Sequence, residues 1–419
     1  MRFLLSATYL TQKTMTSINL KDNIYWVGAL EPEMRIFDIV FKADHGTSYN
    51  SYLIKDEKTV LIDTVKGKYT DQFIAKIHDL ADPLAIDYII VSHSEPDHSG
   101  ALQEILRYAK NAKIIASKSG GHLLKSLLTV PFDLIKIDDC PLLNIGTYDL
   151  QFISAPYLHW PDSMFTYVKQ EKILFTCDVF SAHYCDERIF DDLMPNIDSY
   201  EHYYFDCIMR PFKSYALKAI EKIKDLKIDI IATGHGPILR KNPRRNIENW
   251  LKWSKLDLEG RKNILILYTS IYGNTKKMAH AIAKGASSRD ADIKLIDIME
   301  TDFQAIRDDI EKADGILIGS PTIAGDVPRP VWDVLSLISS VKSMILLSST
   351  FGSFGWSGEA TSMLEERLKG LHIRLHKPSL KIKLIADDSA LSECEGFGSE
   401  FADALQTLYS KLKPENKKQ

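Results

Sequence analysis

Tyr88-Ile-Ile-Val-Ser-His93-Ser-Glu95-Pro-Asp97-His98-Ser-Gly100 decides how the first half of this chain is read. A run of β-formers stops at Ser92, and four potential metal ligands follow within six residues. Ligands at alternate positions of a turn just past a strand converge on one point, and the strand holds them rigid. Imidazole suits zinc. A carboxylate at position 95, in place of a second imidazole, hardens the donor set and moves the preference toward iron or manganese. The motif reads as a redox metal site at the end of a buried strand.

Working outward, three more apolar runs end on donors. His159 follows the strand-like Leu150-Gln-Phe-Ile-Ser154, Asp178 closes Lys172-Ile-Leu-Phe-Thr-Cys-Asp178, and His235 closes Ile228-Asp-Ile-Ile-Ala-Thr-Gly-His235. A strand-end His or Asp taken singly is commonly a turn or cap residue. All of them in order around His-x-Glu-x-Asp-His make a two-metal set. Charge supports iron: two iron(II) ions carry four positive charges, three of them offset by Glu95, Asp97 and Asp178. A bridging hydroxide completes a neutral core, which a partly buried site requires, with oxide as the alternative bridge. Asp63, at the end of Thr59-Val-Leu-Ile-Asp63, reads as a hydrogen-bonding partner of the ligands and not a ligand itself.

The 419 residues allow two or three domains with ample cores. With 45% hydrophobic and 26% charged residues, the composition is that of an ordinary globular protein. A net charge of -4 gives no electrostatic case for nucleic acid or an anionic membrane, and the longest apolar runs are strand-length, too short to span a bilayer. Cys140, Cys177, Cys185, Cys207 and Cys394 are scattered and odd in number, which predicts a reducing compartment and no disulfide framework. The stretch Met1–Leu20 has Arg2 and Lys13 and no acid. A cytoplasmic location is expected, the alternative being import into a mitochondrion-related organelle.

Residues 20–258 show hairpin patterns followed by strand–ligand–helix units, which suits an αββα sandwich of two packed sheets under outer helices. Residues 259–412 alternate strictly, with strands expected at 264–268, 293–297, 315–319, 343–348 and 381–385. That alternation predicts a doubly wound parallel sheet. Between them, Arg240–Arg245 reads as a basic turn and 246–258 as a polar helix whose Trp250 and Trp253 serve packing.

The loops of the second domain carry a second chemistry. Thr269-Ser270-Ile271-Tyr272-Gly273-Asn274-Thr275 lies between the first strand and the first helix, where hydroxyls and free N–H groups form a site for one phosphate. The absence of Gly-x-Gly-x-x-Gly disfavours a dinucleotide, and the absence of a Lys-Ser/Thr ending disfavours a nucleoside triphosphate. Two more strand-end loops follow, one with Pro321, Thr322 and Ile323, the other with Ser353, Phe354, Gly355 and Trp356. Three such loops, one carrying an aromatic, suit a flat ring system bearing a monophosphate, which describes flavin mononucleotide (FMN).

With both constellations in view, the chain resembles the flavodiiron protein family, the A-type flavoproteins, from about Asn23 to Leu408. The resemblance rests on His93-x-Glu95-x-Asp97-His98-Ser-Gly, His159-Trp-Pro-Asp162, Asp178, Gly234-His235-Gly-Pro, Tyr203-Tyr204 with Arg210-Pro211-Phe212, and the flavodoxin-like loops. It implies a metallo-β-lactamase-like domain followed by a flavodoxin-like domain. It further implies two non-haem irons per chain. One would be held by His93, Glu95 and His159, the other by Asp97 and His235, with Asp178 bridging and His98 either ligating or lying close by. His183 and Tyr204 fall where the family places groups that donate protons to bound substrate, with surface or packing roles as the alternative. The Ala324-Gly325-Asp326 turn departs from the Asn-rich version expected of the second flavin loop.

The implied activity is reduction of dioxygen to water, of nitric oxide to nitrous oxide, or both, clearing oxidant from a reducing or anaerobic cell. Electrons would enter at FMN from a rubredoxin-like protein, a flavin reductase or a reduced deazaflavin. The implied assembly is a head-to-tail homodimer or a dimer of such dimers, of the minimal two-domain class. Two other readings stay open at this level: a hydrolase of the same metal-binding fold with an accessory flavodoxin domain, and a flavin electron carrier whose metal site is structural.

Overall fold

The computed structural model describes residues 16–38, 41–255, 260–340 and 345–412. Residues 1–15 of the acid-free N-terminal stretch, the boundary expected at Leu258, and the tail from residue 413 lie outside them. The chain divides between Lys255 and Leu256 into two compact units.

The first unit contains two facing sheets. One has seven strands in the order Ile18–Lys21, Ile24–Trp26, Tyr52–Lys55, Thr59–Ile62, Ile86–Val91, Lys113–Ala116, Asp133–Lys136. The other has five, in the order Leu142–Asn144, Asp149–Ser154, Met164–Val168, Ile173–Cys177, Ile230–Thr233. The hairpin read from the sequence is present: Tyr52–Lys55 pairs antiparallel with Thr59–Ile62. Trp26, Tyr52, Ile90, Phe152 and Phe175 belong to one buried cluster drawn from both sheets. A second cluster joins the outer face of the first sheet to the helices Thr70–His78, Leu102–Tyr108 and Lys118–Leu127. A third joins the second sheet to Asp198–Tyr204, Lys213–Ile223 and Pro243–Ser254. Helix, sheet, sheet, helix is the expected layering.

The second unit is a five-stranded parallel sheet in the order Ala291–Asp297, Lys262–Tyr268, Gly315–Gly319, Leu347–Phe354, Leu380–Lys383. Helices Asn274–Ser287 and Asp388–Leu412 cover one face; Phe303–Lys312, Arg329–Ser340 and Ala360–Gly370 cover the other. The strand order reverses beside the first strand, so a cleft opens at the carboxyl ends there.

Two elements differ from their expected bounds by more than two residues. The helix read as 246–258 is Pro243–Ser254, because the Asn242 side chain accepts from Arg245 N and Pro243 occupies the first turn. The strand read as ending at residue 348 runs Leu347–Phe354, because Phe351–Phe354 pair with Leu380–Lys383. All five cysteines are free thiols, and no helix among the described residues is long and apolar enough to cross a membrane.

Candidate metal centre and flavin cleft

His93, Glu95, Asp97 and His98 follow the strand Ile86–Val91, and the other donors follow strands of the opposite sheet. Pro96 opens a single helical turn, Pro96–Ser99, that buries Asp97 and His98. The turn is pinned from beneath: Thr64 N and its hydroxyl both donate to His98 O at 2.7 and 2.8 Å, and the Ser99 hydroxyl donates to Ser94 O at 2.8 Å. Asp63 stays one step back: it accepts from Ser92 N at 2.7 Å and so steadies the strand end and not, as expected, a ligand side chain. His235 is aimed by the glycine after it. Gly236 has φ +71°, and a Cβ there would lie 2.2 Å from Ala182 O, so no other residue fits the turn.

The donors form two groups that meet on Asp178. In the first group, Glu95 Oε2 lies 3.0 Å from both His93 Nε2 and His159 Nε2, and Asp178 Oδ2 lies 3.5 and 3.6 Å from the same nitrogens. In the second, Asp97 faces His235 Nε2 at 3.2 Å and His98 Nε2 at 3.4 Å, and Asp178 Oδ1 lies 3.4 and 3.1 Å from them. Asp178 therefore presents one carboxylate oxygen to each group.

Remote partners fix the rings. His93 Nδ1 lies 3.1 Å from Asp162 Oδ1, whose other oxygen accepts from Ser94 N at 2.7 Å; His235 Nδ1 lies 2.7 Å from Ser48 O. Such outer contacts set the tautomer and orientation of a ligating imidazole. Asp162 appeared in the sequence only as part of a motif, and Ser48 not at all.

The donor set fits cations. Asp97 Oδ1 and Asp178 Oδ2 are buried and make no hydrogen bond. Burial alone lowers an imidazole's proton affinity and raises a carboxylate's, yet here the mutual attraction wins. His235 is raised to about 10 against its burial by the hydrogen-bonded Asp178 and Asp97, and His93 is raised by Asp162 and Glu95. Asp178, against the same burial penalty, is held far below the ordinary carboxylate range by His98 and His235. A pocket that binds protons this firmly offers the same electrons to metal ions. Four donors (His93, Glu95, His159 and Asp178) form one group and three (Asp97, His98 and His235) another, all within 4.8 Å of one another inside each group, and a third group, His98, Cys177 and Asp178, links the two.

Beside them, His183 is buried with Nδ1 3.0 Å from Thr47 Oγ1 and with Nε2 unpartnered. Burial, then the neighbouring His235, push it well below its ordinary value, so it is neutral. Tyr204 donates its hydroxyl to Asp178 Oδ1 at 3.1 Å, and its ring lies 4.9 Å from that of His183. Phe37 stacks on His183 at 4.1 Å.

In the second unit, a cavity of about 510 Å³ is lined by residues of all three expected loops: Ile271, Tyr272 and Asn274; Pro321, Thr322 and Ile323; Ser353, Phe354, Gly355 and Trp356. Ala324, of the turn in the second flavin loop, lines it too, as does Leu384, which the sequence placed inside a strand. Thr269, Ser270, Gly273 and Thr275, expected at the flavin site as well, are not among the lining residues. Gly273 has φ +82° and precedes the helix Asn274–Ser287, whose first N–H groups receive no side-chain cap. Thr275 Oγ1 lies 2.8 Å from Ser353 Oγ, and the Ser270 hydroxyl is buried without a partner. An uncapped helix start with an unpartnered hydroxyl suits a phosphate. Tyr272 and Trp356 are 90% and 83% exposed and supply flat faces for a ring system. The cleft fits FMN.

Fold and sites define a class: a metallo-β-lactamase-type sandwich with a two-metal donor set, joined to a flavodoxin-like domain. The ODP family of beta lactamases matches residues 47–236, and the flavodoxin family matches 266–398. The chain is 40% identical to a flavo-diiron protein of Clostridium acetobutylicum, over 93% of this chain and all of that one. It is 36% identical to an anaerobic nitric oxide reductase flavorubredoxin of Vibrio vulnificus, covering 92% and 79% of the two chains. A solved rubredoxin oxygen:oxidoreductase from Desulfovibrio gigas superposes with a TM-score of 0.70 at 28% identity, over 94% of this chain and 99% of the other. The chain belongs to the flavodiiron family, and it is an oxidoreductase that uses FMN and a di-iron centre.

Proposed function

We propose that this protein reduces dioxygen to water, nitric oxide to nitrous oxide, or both, at an iron pair held by His93, Glu95, His159, Asp97, His98 and His235, with Asp178 shared. The observation that carries the assignment is the Asp178 carboxylate, one oxygen on each donor group. The names of the two relatives above span both gases. When bound, FMN relays electrons from a donor and the two irons store them beside the gas.

The chain's own residues handle protons. Reducing one dioxygen takes four electrons and four protons and yields two waters; coupling two nitric oxides takes two of each and yields nitrous oxide and one water. Tyr204 holds a proton on Oη beside Asp178, where burial and the neighbouring carboxylate keep it neutral. His183 holds one on Nε2 when Thr47 donates to Nδ1. Phe37 keeps water off that imidazole. The Thr269–Thr275 turn would hold the FMN phosphate, and the loops carrying Tyr272 and Trp356 would hold its ring. A rubredoxin-like protein, a flavin reductase or a reduced deazaflavin supplies electrons. A head-to-tail homodimer, or a dimer of dimers, would cover the exposed apolar rim of the cleft. The free cysteines agree with a reducing, cytoplasmic setting.

Metal and flavin analysis followed by anaerobic single-turnover oxidation with each gas tests this reading. About two irons and one FMN per chain, with rapid oxidation by at least one gas, is the expected result. Full activity with stoichiometric zinc would overturn it.

A further inference from the structure

The helix Asp198–Tyr204 carries Tyr204 toward the donor cluster and, one turn earlier on the same face, a fully buried carboxylate, Glu201. Glu201 Oε1 accepts from Trp250 Nε1 and Oε2 from Asn246 Nδ2, both at 2.8 Å, so these two bonds from neutral donors tie the buried face of the helix to Pro243–Ser254, while the exposed Arg245–Asp198 ion pair joins the same helices at the surface. Trp250 also packs on Phe180, 4.9 Å between ring centroids and two residues beyond Asp178, and on Phe205, 5.1 Å away and next to Tyr204. One side chain thus touches the loop carrying Asp178 and the helix carrying Tyr204. Past Tyr204 the backbone widens into a π-helical turn, Phe205–Met209, which interrupts the regular ladder where it would otherwise hold that helix. Packing alone needs no carboxylate between the two helices, and burying one is costly.

We propose that Glu201 is a positioning residue: through Trp250 and Asn246 it fixes the helix that sets the Tyr204 hydroxyl on Asp178. This rests on the reading of Tyr204 given above. Glu201 touches neither the donor cluster nor the gas, and its effect on turnover passes through Tyr204.

A double-mutant cycle on the full-length protein tests it, using E201A, E201Q, Y204F and E201A/Y204F. Two quantities are read: cobalt(II) affinity of the metal-free protein, and the limiting single-turnover rate of the iron- and FMN-loaded, reduced protein mixed with dioxygen. E201A should lower the limiting rate about tenfold and weaken cobalt binding, with the half-saturating gas concentration unchanged. E201Q should restore both, because its Oε1 can accept from Trp250 while its Nε2 donates to the turned amide of Asn246. In the Y204F background E201A should change neither quantity further, although it lowers the melting temperature in both backgrounds. Equal losses in both backgrounds, or E201Q as slow as E201A, overturn the inference alone. A Y204F protein identical to wild type overturns the reading of Tyr204 and the inference with it. Should E201A not fold, N246A removes one of the two bonds and should show a smaller loss with the same non-additivity.

Discussion

The metal-donor cluster buries its polar atoms, whereas the cleft of the second unit exposes its apolar ones. Around Asp178 each of the four donor imidazoles lies within 4 Å of a carboxylate, and two carboxylate oxygens are sealed in without a hydrogen bond. Around the cleft, Tyr272 and Trp356 stand in solvent and the polar groups are few. The first arrangement stores electrostatic free energy that only cations or protons release. The second stores little, so a ligand there gains from burying apolar area and from one phosphate contact. Loss of a single donor should therefore be severe in the first region and moderate in the second.

The largest expected effect is at Asp178. Asp178→Ala removes an oxygen from both donor groups and takes away the carboxylate that His98 Nε2 and the Tyr204 hydroxyl bond to. Iron content or turnover should fall by more than about 100-fold, beyond what loss of an outer contact costs. A variant that keeps two irons and normal turnover would break the shared-carboxylate reading and, with it, the contrast between the regions.

Asp162 sharpens the contrast one step out. Asp162→Ala frees the His93 ring and the Ser94 N–H, and iron affinity should fall roughly 10–100-fold. Metal titration of the apoprotein measures it. Unchanged affinity would show that the strand alone orients His93.

The flavin site should respond less per residue. Ser270→Ala and Thr275→Ala should each weaken FMN by about 1–3 kcal/mol through lost hydrogen bonds, and Trp356→Ala should also alter the flavin spectrum. Flavin fluorescence titration reads all three. No change in any of them would move the phosphate and ring away from the 510 Å³ cleft.

Legibility in the sequence divides along the same line. His93, Glu95, His159, Asp178, Asp97, His98 and His235 could be picked out because they cluster at the ends of apolar runs, and a rigid strand leaves few places for the residues just beyond its end. Their grouping around Asp178 is a property of two sheets facing each other, which no local pattern encodes. The bonds from Asp162 to His93 and from Ser48 to His235 span 69 and 187 residues and leave no periodic trace. In the second unit, the Ser/Thr/Gly content of 347–354 mimics a loop, and the deciding fact is pairing with Leu380–Lys383. Leu384, just past that last strand, lines the cleft through the same pairing. Glu201 reads as an ordinary helix-surface acid, since nothing nearby in sequence tells that Trp250 and Asn246 enclose it.

Glu201 also provides the most local test of the comparison, one that leaves metal and flavin untouched. Acids in the donor cluster are held down by imidazoles, whereas Glu201, accepting from two neutral groups, is pushed up by burial to about 8 from an ordinary 4.5. Between those values the folded chain holds a proton that the unfolded chain has released. Unfolding free energy must therefore fall as pH rises across that window, by up to roughly 1.4 kcal/mol per pH unit from this one group. The contribution is fully present below the unfolded value and is lost once pH has passed the folded one. Glu201→Gln keeps the shape and removes the titration, so the stability difference between wild type and variant should shift steadily in the variant's favour from pH 5 to pH 8. Chemical denaturation at several pH values measures it. Parallel stability curves for the two proteins would mean that Glu201 is ionised when folded, and that burial without a cation does not separate it from the acids around the metal site.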